Sequence, residues 1–121
     1  MDNIEKTDKE LNFKEMCEYR KRHVSLLEST LKDTYKENRV ENLKKWLDSE
    51  SDELLLAYKS NNIDHIEDEC GDILMASIAF IESMKIDPYK ALNRGFDKYK
   101  RRVSILKQGG TWKDAKRVHP K

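Results

Sequence analysis

Two pairs of acids with matched spacing lie in the middle of the 121-residue chain: Glu50 with Glu53, and Glu69 with Asp72. Residues three apart on a helix project from the same side, so each pair would present two carboxylates to one neighbour. Glycine and proline are absent before Gly71, which makes helix the default for that stretch. Between the pairs, Ser60-Asn61-Asn62 is a cluster of short polar residues that compete for backbone hydrogen bonds and suit caps and turns. Helices joined by so short a turn pack antiparallel. Glu53 stands eight residues before Asn61 and Glu69 eight after it, so the two pairs are expected to face each other.

Carboxylates brought together repel, and at an effective dielectric near 20 each contact of about 4 Å costs roughly 4 kcal/mol. A cluster of this kind needs a cation between its members. Oxygen ligands alone suit Mg2+ or Mn2+ better than zinc, which prefers nitrogen and sulfur. No histidine lies at ligand spacing from these acids, and the absence of Glu-x-x-His counts against a di-iron carboxylate bundle. The plainer reading is a solvated acidic helix face, which is how Glu67 and Asp68 are read.

The elements that must position these acids follow from apolar spacing. Phe13, Met16, Cys17, Val24, Leu27 and Leu31 mark a first helix. Val40, Leu43, Leu47, Leu54 and Tyr58 mark a second, which ends at the Ser-Asn-Asn cluster. Ile63, Ile66, Cys70, Ile73, Leu74, Ser77, Ile78 and Ile81 mark a third, and Gly71 within it points to close approach by a neighbouring helix or ligand, or to packing alone. Asp87-Pro88 is an N-cap acid followed by proline at the first helical position, so a fourth helix starts there. Leu92, Phe96, Tyr99, Val103 and Leu106 are its expected inner stripe, and Gly109-Gly110 its end. The fold class is therefore all-α, an antiparallel bundle of four main helices spanning 1–108, with a basic tail over 109–121.

Apolar residues make up 37% of the chain and charged residues 39%, little material for a self-sufficient core. Completion of the core by a homodimer or homotetramer is expected. Cys17 and Cys70 are far apart, without metal-binding spacing, and read as reduced core residues. No segment approaches the roughly 18 apolar residues that cross a bilayer, so a cytoplasmic location without membrane attachment is expected. Net charge is +1, yet nine acids and one base lie between Asp48 and Asp72, and eleven bases and two acids between Pro88 and Lys121. Such asymmetry fits either nucleic-acid binding by the tail or a site where a metal cluster meets a polyphosphate.

Glu50-Ser51-Asp52-Glu53, fifteen intervening residues and Glu69-Cys70-Gly71-Asp72 together resemble the MazG-like members of the all-α NTP pyrophosphatases. Gly71-Asp72-Ile73-Leu74 is similar to that family's Gly-Asp-Leu-Leu element. Ala91-Leu92 and Lys98-Tyr99-Lys100-Arg101-Arg102 are similar to its basic Lys-Phe-x-x-Arg motif after an Asp-Pro helix start. The resemblance covers 45–103. Many relatives carry Glu-Glu at the first pair, where this chain has Ser49-Glu50, and the first helix holds no matching motif.

The resemblance implies hydrolysis of a nucleoside triphosphate between its α and β phosphates, releasing pyrophosphate, in nucleotide-pool house-cleaning. Glu50, Glu53, Glu69 and Asp72 would be the catalytic and metal-holding residues, with Mg2+ as the cofactor and Mn2+ as a substitute. Lys98 and Arg102, four apart on one helix face, would bind phosphate, with Arg101 in reserve. Trp46 and Trp112 are candidates for stacking on the base, against a plainer role in packing. His23, His65 and His119 read as surface or structural. Two alternatives stand beside this reading. One is a phosphoribosyl-ATP pyrophosphohydrolase; the other is a non-enzymatic helical interaction module whose basic tail binds nucleic acid or an acidic protein, a partner the leading reading does not need.

Overall fold

The computed structural model describes residues 10–26 and 38–117, and within them every regular element is helical. The helices are α1 (Phe13–Arg22), α2 (Arg39–Ser60), α3 (Ile63–Ser83), α4 (Pro88–Lys107) and the one-turn α5 (Trp112–Ala115). Leu27 and Leu31, assigned to the first helical face, and His119 lie outside the described residues.

Each boundary has a local cause. Asn12 caps α1 in a reciprocal box with Glu15, each side chain meeting the other's backbone N–H. Asn61 ends α2 in the left-handed region at φ +60°, and Asn62 begins α3 by accepting from the His65 N–H. Asp87 accepts from the Tyr89 N–H, with Pro88 at the first turn of α4. Gly109, at φ +88°, follows the end of α4. A second reciprocal box, Thr111 with Asp114, starts α5. The segment read as a basic tail thus contains a short helix that folds back on α4.

The α2–α3 hairpin carries most of the tertiary contact. Leu43, fully buried, packs with Ala79 and Phe80, while Ala57 and Ala76 are also inaccessible. Leu43 and Ala79 stand equally far from Asn61, as do Glu53 and Glu69, so the turn sets one register for the whole seam. At the far end of α3, Arg20 of α1 meets Glu82 at 2.8 Å, an ion pair with both side chains largely buried. Burial pushes the Glu82 carboxyl above its ordinary range, against the opposing charges of Arg20, Arg39 and Lys21.

The described residues form this hairpin with α1 and α4 joined at one end, rather than a closed four-helix bundle. α4 meets α1 and the end of α3, but no close backbone approach joins it to α2. Its expected inner stripe therefore faces outward: Leu92, Phe96, Tyr99 and Leu106 are all exposed, with Val103 half-buried. Periodicity gathered these residues on one face correctly, but among the described residues neither α2 nor the body of α3 packs against it. Tyr58, Ile63 and Leu74 are likewise exposed, while Ala57, Ala76 and Ala79 are the inaccessible residues of the seam. Cys17 is buried and Cys70 half-buried, both as free thiols. Gly71 lies on the open side of α3, where an added Cβ would meet nothing within 4 Å, so close approach of a neighbour does not account for it here.

Leu43 is the one large side chain fully removed from solvent among the described residues. Leu43→Ala is expected to lower the free energy of unfolding by about 3 kcal/mol, measured by urea denaturation.

Candidate metal centre

Glu50 belongs to the α2 face that also carries Leu43, Leu47 and Ala57, and Glu69 and Asp72 to the α3 face with Ile73 and Ala76. Packing these faces together carries the acids with them. Glu50, Glu69 and Asp72 each offer a carboxylate oxygen, and the three oxygens lie within 4.8 Å of one another. Glu50 and Glu69 are half-buried and Asp72 is exposed, so the cluster opens to solvent on one side.

Glu53 flanks this group on α2. Its carboxyl is pushed above the usual glutamate range, first by the charge of Glu50 and then by hydrogen bonding with the Glu50 carboxyl; desolvation, Glu69 and Asp72 add to the effect. The four acids identified from spacing are therefore within electrostatic reach of one another. Glu50 Oε2 and Glu69 Oε2 are buried, and neither accepts from an N–H or a hydroxyl. Buried carboxylate oxygens without donors are costly, and a shared cation satisfies both at once. The donor set is oxygen throughout, which fits a hard divalent ion.

The other oxygen of Glu50 is engaged: the Trp46 indole N–H donates to Oε1 at 3.0 Å. Trp46 thus touches a candidate ligand, a role not assigned to it from sequence, although its position four residues before Glu50 was the signal for it. Trp112, at the start of α5, lies under the Arg102 guanidinium, 5.8 Å from the ring centroid. Both tryptophans flagged for base stacking are therefore in contact with a residue singled out for metal or phosphate.

The basic residues are placed differently. Lys98 and Arg102 are half-buried on α4, and Arg101 turns to another face, lining an open groove of about 710 Å3 with Lys85, Lys90, Arg94 and Asp97. α4, which carries all three, makes no close backbone approach to α2 among the described residues. Glu67 and Asp68 are exposed, and His23 stacks on Tyr19 while its Nδ1 lies 2.8 Å from the Tyr19 carbonyl.

Among the described residues, which are helical, an oxygen-only acidic cluster lies across a helical hairpin, a donor set that suits a hard divalent ion. Residues 38–104, more than half of the chain, match the model of the MazG nucleotide pyrophosphohydrolase domain. The chain belongs to that family, whose members act as nucleotide pyrophosphohydrolases with a divalent metal. Comparison with curated proteins found no match, and comparison with solved structures found none either. No helix among the described residues is long and apolar enough to cross a membrane.

A raised Glu53 pKa means that the folded state holds this proton more tightly than the unfolded chain does. The resulting stability is present below the unfolded pKa and is lost as pH rises through the folded one. In EDTA, the melting temperature of Glu53→Gln is therefore expected to gain on that of the unmodified protein as pH rises from about 4. Calorimetry across that range checks it, and a constant difference would mean that Glu53 does not feel the other acids.

Proposed function

We propose that this chain is a Mg2+-dependent nucleoside triphosphate pyrophosphohydrolase that converts NTPs or dNTPs to the monophosphate and pyrophosphate, as a house-cleaning enzyme of the cytoplasmic nucleotide pool. The observation that carries this reading is the convergence of Glu50, Glu69 and Asp72 within 4.8 Å, with two buried carboxylate oxygens unpartnered, in a chain of this family.

Glu50, Glu69 and Asp72 would hold the divalent ion, with Mn2+ as a substitute for Mg2+. When bound, the ion supplies positive charge to the polyphosphate and acidifies the attacking water. Glu53, flanking the three, would add a fourth carboxylate to the metal set, and one of the glutamates would accept the proton of that water. As the bond between the α and β phosphates breaks, negative charge grows on the departing pyrophosphate. Lys98 and Arg102 are suited to meet it, and Trp112 restrains the Arg102 guanidinium. Arg101 remains the reserve cation on the neighbouring face.

Association would complete both the core and this site. Leu92, Phe96, Tyr99 and Leu106 on α4, and Leu55, Leu56, Tyr58, Ile63 and Leu74 on the hairpin, leave more apolar surface exposed than a monomer ordinarily tolerates. A homodimer or homotetramer that covers the α4 stripe would also bring Lys98 and Arg102 of one chain toward the acids of another.

Pyrophosphate release from a panel of NTPs and dNTPs with Mg2+ tests the chemistry. Release is expected to stop with EDTA and to fall at least about 100-fold in Glu69→Gln; release that ignores either change would overturn the reading. Sedimentation velocity tests the assembly: a mass at least twice the 14.3 kDa chain is expected, falling toward one chain in Phe96→Asp.

A further inference from the structure

Trp46 is 39% exposed, so its indole is not accounted for by core packing. Its N–H is spent on one atom, Oε1 of Glu50, at 3.0 Å. The second oxygen of that carboxylate, Oε2, is buried and accepts from no N–H or hydroxyl, and Glu50 is one of the three acids that each offer an oxygen within 4.8 Å of the others. A glutamate head among like charges would relieve repulsion by rotating out toward water. A donor fixed to Oε1 opposes that rotation and keeps Oε2 buried.

The chemistry of the donor matters as much as its position. Indole N–H donates only: it cannot serve as a rival ligand, and it brings no positive charge to cancel the acid or repel a cation. A lysine or arginine at position 46 would hold Glu50 equally well but neutralise it. A phenylalanine would preserve the apolar surface and lose the bond.

We infer that Trp46 is a positioning residue for a divalent cation, turning Glu50 Oε2 into the cluster by holding Oε1 through its indole N–H. This rests on the reading of the acids as a cation site, and its effect is on the affinity and geometry of that site. Residues that orient a metal ligand in this way typically change metal affinity about 10- to 100-fold when removed.

The experiment follows cation binding directly. Mn2+ affinity is measured by the electron paramagnetic resonance of the free ion for the unmodified chain, Trp46→Phe and Glu69→Gln. In parallel, the indole N–H signals of the two tryptophans are followed by NMR during a Mg2+ titration and assigned with Trp112→Phe. Expected are an Mn2+ dissociation constant about 10- to 100-fold higher in Trp46→Phe and a Mg2+-dependent shift of the Trp46 indole signal. Loss of binding in Glu69→Gln with full affinity in Trp46→Phe and an unmoved indole signal would overturn the positioning role alone. Equal binding by the unmodified chain and Glu69→Gln would overturn the cation reading and this inference with it. The indole shift is read on the unmodified chain, so it decides the matter even where Trp46→Phe fails to fold.

Discussion

The turn at Asn61 is the constraint on which the rest of the molecule depends. A residue in the left-handed region, followed at once by an N-cap, leaves the two long helices almost no freedom to slide past each other. One extra residue in either helix would rotate its remainder by about 100° relative to its partner. The same displacement would separate Leu43 from Ala79 and carry Glu50 away from Glu69 and Asp72. Stability and site are thus set by one register.

That register holds together groups that would otherwise separate. Leu43 with Ala79 on one side and Ala57 on the other clamp the acids between two stretches of apolar seam. The seam gains from burying apolar surface, whereas the acids cost electrostatic energy until a positive charge reaches them. The elevated pKa of Glu53 records this tension: the cluster eases its charge by holding a proton more tightly. At the other end of α3, the Arg20–Glu82 pair ties α1 to the hairpin through side chains, in a region where the backbones themselves do not pack.

Much of this was legible in the sequence, because the relevant signals are local. The Ser60-Asn61-Asn62 turn, the Asp87-Pro88 start and the pairing of acids by equal distance from Asn61 each depend on residues a few positions apart, or on counting along two helices. The outward-facing stripe of α4 was not legible. Spacing shows which residues share a face, but not what that face meets. Tyr58 and Leu74 were assigned to the seam because large apolar residues dominate a periodicity pattern, whereas Ala57, Ala76 and Ala79, which fill it, scarcely register. Gly71 was read as a contact because glycine is costly in a helix, yet it lies on the solvent side. The partnership of Trp46 with Glu50 was within reach at four-residue spacing, but tryptophan attracts attention for its ring before its single N–H.

Those alanines have a consequence for the acids they neighbour. Two helices that meet over methyl groups approach more closely than two that meet over leucines. Their separation also fixes the span between carboxylates projecting from opposite helices. The hairpin therefore works as a calliper, with its jaw width set by Ala57 and Ala76 on either side of the grip rather than by the acids themselves. For a cation held as proposed, ionic radius as well as ionic charge would then meet a constraint set by the apolar seam.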